Sequence, residues 1–119
     1  MKILKIFGLM AILGGSLMSQ AAETPVYPGG SNALSKYLSE NTVYPEIAKE
    51  NGIEGIVSVG FIVAADGSLS NLRILNAIDP DLEKEAMRVV TGMPAWIPAE
   101  KDGTPFEAPS QVEVPFILE

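Results

Sequence analysis

Two alternating apolar runs joined by Ala65-Asp66-Gly67-Ser68 constrain this chain more than any other feature. Val57, Val59, Phe61 and Val63 alternate with Ile56, Ser58, Gly60 and Ile62, the period of two that a strand imposes. Asp66-Gly67 is a residue pair that supplies the positive φ angles of a tight hairpin turn. The return strand is predicted from about Leu69 to Asn76, with Leu72 and Ile74 on one face and Asn71 and Arg73 on the other. Both faces of the first strand are fairly apolar, and Gly55 and Gly60 predict a bend or the close approach of another element.

Helical signals flank the hairpin. Asp79 caps the clearest helix, Pro80 takes its first position, and Asp81 and Glu83 oppose the positive end of its dipole. Leu82, Ala86, Val89, Val90 and Met93 form one buried stripe, and Gly92 and Pro94 end the helix. Two shorter helices come before the hairpin. The first is capped by Ser31 or Asn32, carries Leu34, Tyr37 and Leu38 on one face, and ends near Asn41. The second spans Tyr44 to Gly52, with Pro45 in its first turn and Gly52 as the left-handed residue after its end. Both are too short to persist alone and must dock onto the sheet.

After Trp96 the chain is predicted irregular, with Pro98, Lys101-Asp102-Gly103 and Pro105 as turn signals. It closes on a half-buried strand in which Val112, Val114, Phe116 and Leu118 alternate with Gln111, Glu113, Pro115 and Ile117. The fold class is therefore α+β, a small antiparallel three-stranded sheet with helices packed on one face. Proline cannot donate to a ladder, so Pro115 assigns the last strand to an edge or a bulge. Sequence order leaves open whether it lies beside the first strand or the second.

Charge narrows the function. Lys2 and Lys5 form a basic start, an apolar run covers Ile6 to Met18, and Ser19 and Ala21 fit the small-residue rule for signal cleavage. The rival reading is a retained inner-membrane anchor, but at 13 residues, with Gly8, Gly14, Gly15 and Ser16 inside it, the run is short for a spanning helix, which needs about 20. Residues 1–22 are read as an export signal cleaved after Ala21 or Ala22, 23–30 as an extended lead-in, and 31–119 as one domain. Without residues 1–22 the chain carries 6 basic and 15 acidic side chains, a net charge of −9. That balance repels phosphate backbones and anionic lipid, so no nucleic-acid partner is expected. The chain has no cysteine and no histidine, which removes a thiolate nucleophile, an imidazole base and a soft-ligand zinc site. The expectation is no enzyme, no cofactor, no metal and no small-molecule substrate.

A set of short motifs then resembles a known family. Tyr44-Pro45, Gly52-Ile53-Glu54-Gly55, Val59-Gly60-Phe61-Ile62-Val63 and Asp66-Gly67-Ser68 are followed by Leu72-Arg73-Ile74, Asp79-Pro80 and Glu85-Ala86. Met93-Pro94-Ala95-Trp96-Ile97-Pro98 and Val114-Pro115-Phe116 complete the series. In this order and spacing they resemble the TonB C-terminal domain, over roughly Gly30 to Glu119. The resemblance implies a periplasmic interaction module that binds a segment of an outer-membrane transporter by strand addition. Its edge would be the last strand, Gln111, Val112, Glu113, Val114, Pro115, Phe116, Ile117 and Leu118. Replacing Val114 with proline is expected to abolish that pairing and to leave the helices folded. Energy transducers of this family keep a transmembrane anchor and a proline-rich spacer. A cleaved signal and an eight-residue lead-in, under ~30 Å long, support the binding half of that function, which could assist energy-coupled transport, and leave force transmission open.

Tyr44, Pro45 and Trp96 are candidate partner contacts, although a lone Trp is more often a core anchor and Tyr44 suits a staple at the start of its helix. Asp79, Asp81, Glu83 and Glu85 lack the alternation and glycine of a calcium loop and read as capping and a solvated face. Partners are thus an outer-membrane TonB-dependent transporter or another envelope protein. The alternative is a structural or regulatory envelope protein that occupies transporters, or forms a homodimer, through the same edge.

Overall fold

The computed structural model describes residues 23–119, so the export signal read in residues 1–22 lies outside the described part. In chain order the elements are α1 (Ser31–Asn41), α2 (Glu46–Glu50), β1 (Gly55–Val63), β2 (Leu69–Ile74), α3 (Pro80–Thr91), β3 (Ala99–Lys101), β4 (Thr104–Phe106) and β5 (Ala108–Phe116). The α+β arrangement read from the sequence is present. β1 is the central strand of a three-stranded antiparallel sheet in the order β2-β1-β5. The position left open for the last strand is therefore beside the first, at an edge.

Strand parity decides what the sheet buries. Val57, Val59, Phe61 and Val63 of β1 are fully buried, as are Leu82, Ala86 and Val90 of α3 and Val114 of β5, with Val112 and Phe116 of β5 nearly so. Burying each larger side chain of this kind stabilises the fold by about 1.5–3 kcal/mol. α3 delivers its stripe because its start is fixed: the Asp79 carboxylate accepts from the amides of Asp81 (3.0 Å) and Leu82 (3.2 Å), with Pro80 at the first position. Gly92 ends it with φ −84°, so left-handed freedom is not its role. A Cβ there would meet the Tyr37 hydroxyl at 3.2 Å, and it is the close approach of α1 that favours glycine.

β2 departs from simple alternation. Gly60 faces Arg73 and Ile62 faces Ser70, so two residues, Asn71 and Leu72, oppose Phe61 in a bulge. Asn71 takes a left-handed φ of 54° to make it. The bulge is what lets Leu69 and Ile74, of opposite parity in sequence, pair with the inward residues Val63 and Val59. Beyond β2 the Asn76 carboxamide continues the pairing. It accepts from the Ser58 amide at 2.8 Å and donates to the Ile56 carbonyl at 2.9 Å.

Several local expectations are corrected. Gly30, not Ser31 or Asn32, caps α1, because the turn before it puts both Gly29 and Gly30 at positive φ. Pro45 caps α2 from outside in extended conformation and is not in its first turn. At the first hairpin only Gly67 takes a positive φ. Asp66 contributes its carboxylate instead, accepting from the Ser68 amide (3.0 Å) and hydroxyl (2.7 Å), which holds that carboxyl below its ordinary pKa. The segment expected to be irregular holds a second hairpin, β3-β4, whose two-residue turn Asp102-Gly103 has both φ angles positive, 53° and 80°. The last strand begins at Ala108 and ends at Phe116, so Ile117 and Leu118 lie beyond it, because β1 has no residue before Gly55 in the ladder to pair with them.

Candidate functional site

The ladder between β1 and β5 determines which backbone groups β5 leaves free. On β1, Ile56 and Ser58 direct their backbone groups toward β2: Ser58 accepts from the Leu75 amide at 2.8 Å and both bond Asn76. The odd residues of β1 therefore face β5, and each pairs with an even residue, such as Val57 with Val114 and Val59 with Val112. Pro109 and Pro115 pair with Ile62 and Ile56, at positions where no amide is needed. The outward backbone of β5 thus belongs to Pro109, Gln111, Glu113 and Pro115. It offers four carbonyls and two amides, those of Gln111 and Glu113, and none is bonded to another described residue. All four side chains are exposed. Gln111 Nε2 donates to Glu113 Oε2 at 2.9 Å, which also accepts from Ser58 Oγ at 3.3 Å, so the two outward side chains are tied together on the open face of the sheet.

This geometry reverses one expectation. The Val114 amide points to β1 and its side chain is fully buried, so Val114→Pro would break the sheet and not only the free edge. Of the eight residues read as the binding edge, Gln111, Glu113 and Pro115 present backbone outward. Val112, Val114 and Phe116 face the core, and Ile117 and Leu118 follow the strand.

A cleft of about 540 Å³ lies between the end of this edge and α1. One wall is Glu113, Pro115, Phe116, Ile117 and Glu119, and the other is Ser35, Leu38, Ser39 and Thr42, with Tyr44 between them. Its lining includes two carboxylates and no lysine or arginine. The Thr42 hydroxyl oxygen is buried without a hydrogen-bond partner among the described residues. Ile117 is 58% exposed, a large apolar side chain offered at the mouth.

Polar contacts from α3 hold the α1 wall in place. Arg88 donates to Glu85 at 2.7 and 2.8 Å and to the Asn41 carbonyl at 2.8 Å, while Glu85 accepts from the Val43 amide at 2.7 Å. The Arg88 guanidinium, and then the Val43 amide, hold the Glu85 carboxyl below its ordinary range. Tyr37 donates to the Val89 carbonyl at 2.7 Å, and burial raises its phenol pKa. None of these residues was marked as functional by the sequence, and Glu85 was read there as part of a solvated face. Nothing local signals that the far end of a helix becomes the wall of a groove.

Tyr44 and Pro45, expected as partner contacts, lie at this end of the molecule. Tyr44 donates to the Ile53 carbonyl and packs edge-on against Phe116, ring centres 5.6 Å apart. Pro45 lines a neighbouring cleft of about 410 Å³ with Tyr44, Val43 and Arg88. Trp96 is elsewhere. It is 6% exposed, packed edge-on against Phe61 at 5.1 Å and Tyr27 at 5.8 Å. Its amide donates to the Gly67 carbonyl at 2.9 Å, and a Cβ on Gly67 would collide with the Trp96 carbonyl. Packing therefore favours the core reading of Trp96 over partner contact. Three of the four acidic residues at α3 serve backbone amides: Asp79 caps the helix, Glu83 accepts from Ile78 at 2.8 Å, and Glu85 accepts from Val43.

Comparison with known proteins bears on this arrangement. The family model described as the Gram-negative bacterial TonB protein C-terminal matches residues 40–118. The NMR solution structure of Helicobacter pylori TonB-CTD, residues 179–285, is similar with a TM-score of 0.57 and 25% identity, over 77% of this chain and 87% of that one. A second NMR structure of that protein, residues 194–285, shares the fold with a TM-score of 0.52 and 21% identity, over 71% of this chain and 89% of that one. No curated protein sequence matches the chain.

Proposed function

The chain belongs to the TonB C-terminal family, and from that premise we propose that it is an interaction module which takes a short extended segment of an outer-membrane transporter as a fourth strand on β5. The observation that carries this is the free edge itself. β5 is nine residues long, pairs with β1 without a bulge, and leaves six outward backbone groups unpaired among the described residues, beside a cleft. Main-chain pairing would provide affinity, and the cleft would select the side chain that enters it. The outward residues Gln111, Glu113 and Pro115 form the pairing surface, with Ile117 and Tyr44 at the cleft. Val112, Val114 and Phe116 support it from the core. The reading is of a binding module and not of an enzyme.

Residues 1–22 are proposed as an export signal that brings the domain to the periplasm, where such segments are accessible. Among the described residues no helix is long and apolar enough to cross a membrane.

Two experiments test these readings. Peptides covering the periplasm-facing segments of the host's outer-membrane transporters, titrated into the isotope-labelled protein, should perturb the amides of Gln111 and Glu113 first. Perturbation confined to β2 or the β3-β4 hairpin would reject the assigned edge. The intact mass of the native protein from separated periplasmic and membrane fractions tests export. A periplasmic species lacking residues 1 to 21 or 22 supports it, and a full-length species in the inner membrane refutes it and restores a transducing role.

A further inference from the structure

The two prolines on β5 sit at symmetric places. The strand covers Ala108–Phe116, its midpoint is Val112, and Pro109 and Pro115 each lie three residues from that midpoint. Symmetry matters because a closed pair formed by one edge of two identical chains is isologous, and its hydrogen-bonded strands run antiparallel about a two-fold axis. The register that overlaps the whole strand is centred on Val112. It sets Gln111 opposite Glu113 of the other copy and Pro109 opposite Pro115. Each Gln111–Glu113 rung makes two hydrogen bonds, four in all. Each proline rung makes none, because both members lack an amide hydrogen and two carbonyls face each other.

A segment without proline fares differently on the same edge. It accepts from the amides of Gln111 and Glu113 and donates to all four outward carbonyls, six hydrogen bonds in either strand direction. We propose that Pro109 and Pro115 make the β5 edge selective for a proline-free segment of another protein over a second copy of this chain. The preference for a foreign segment rests on the strand-addition reading above, whereas the exclusion of self-pairing stands on the ladder alone. Both prolines face away from β1, so they cost the sheet no ladder bond. The other edge is guarded by different means: β2 has six residues and is bulged at Asn71.

The experiment is sedimentation velocity over a concentration series on three forms of the full protein: wild type, the double variant Pro109→Thr with Pro115→Thr, and that double variant carrying Gln111→Pro. The wild type should sediment as a monomer. The double variant regains four hydrogen bonds per pair and should self-associate at least about 30-fold more tightly. Adding Gln111→Pro removes two of the eight hydrogen bonds per pair and should weaken that association at least about 5-fold. An unchanged double variant with intact circular dichroism and melting overturns the proposal, and so does a wild-type dimer that Gln111→Pro dissociates. Should the double variant fail to fold, each single proline replacement regains two hydrogen bonds per pair and is read in the same way. Peptide titrations on the same samples keep the two claims apart. Dimerisation of the double variant without peptide binding by the wild type would sink strand addition and leave the exclusion of self-pairing standing.

Discussion

The two edges of this sheet solve opposite problems. β2 is short, twisted by the bulge at Asn71, and followed by Asn76, whose carboxamide fills the ladder positions that Ser58 and Ile56 would otherwise leave open. β5 is half as long again, regular along its whole pairing with β1, and bordered by a cleft. An exposed edge is a standing template for another chain. β2 closes that template by irregularity, whereas β5 keeps it and only thins its donors. Backbone regularity and the position of proline therefore separate a protected edge from a usable one, and hydrophobicity does not, since the outward side chains of β5 are polar or proline.

Breaking the comparison begins inside β5. Val114→Pro removes a bond to β1 at a fully buried site and should unfold the domain outright, with loss of the cooperative melting transition. Gln111→Pro, three residues away, removes only an outward donor. It should leave the melting curve nearly unchanged and lower peptide affinity about 2- to 12-fold by calorimetry, one hydrogen bond being worth about 0.5–1.5 kcal/mol. If the two variants behave alike, the parity assigned to β5 is wrong. Phe116→Ala empties the junction of β5 with Tyr44 and should cost about 3–5 kcal/mol in urea denaturation. Asn76→Ala on the opposite side should cost about 1–3 kcal/mol through two lost hydrogen bonds, without altering peptide affinity. A change in affinity would couple the edges.

The smallest effect concerns acid. The folded-state pKa of Glu85 lies below its ordinary value of 4.5, so its contribution to stability is complete above that value and is lost as pH falls through the lower folded pKa. Glu85→Gln should therefore flatten stability against pH only below about 4.5. Because Glu85 and Arg88 hold the link after α1, amide exchange at Val43 should rise in that variant while β2 is unaffected.

The parts that were legible in sequence are those whose signal is local and periodic. The inward stripe of β1, the Asp79-Pro80 start of α3 and the edge position marked by Pro115 are all visible without coordinates. The bulge is not, because one extra residue between Leu69 and Leu72 breaks the period by which strands are recognised. The β3-β4 hairpin escaped because its strands are three residues each and Thr104-Pro105-Phe106 is wholly exposed, leaving Asp102-Gly103 as its only signal. The same dipeptide at Asp66-Gly67 builds a different turn, so Asp-Gly marks a reversal without specifying its geometry. The site was half legible. Its edge follows from a proline, but its far wall is made by α1, and only tertiary packing brings Leu38 and Thr42 opposite Pro115.

One contact at the other end of the sheet has a mechanical consequence. Val26 and Ile97 exchange two backbone hydrogen bonds, 3.0 and 2.8 Å, and the adjoining Trp96 amide is bonded to Gly67 at the β1-β2 turn. The cleft lies where β1 begins, eight residue steps or roughly 27 Å away. Tension applied at Glu23 would thus be shared by this backbone clasp at one end of the central strand, while a fourth strand on β5 would be gripped toward the other. Load between the two would run lengthwise along β1, in the direction where the rungs of an antiparallel ladder resist together and do not open one after another.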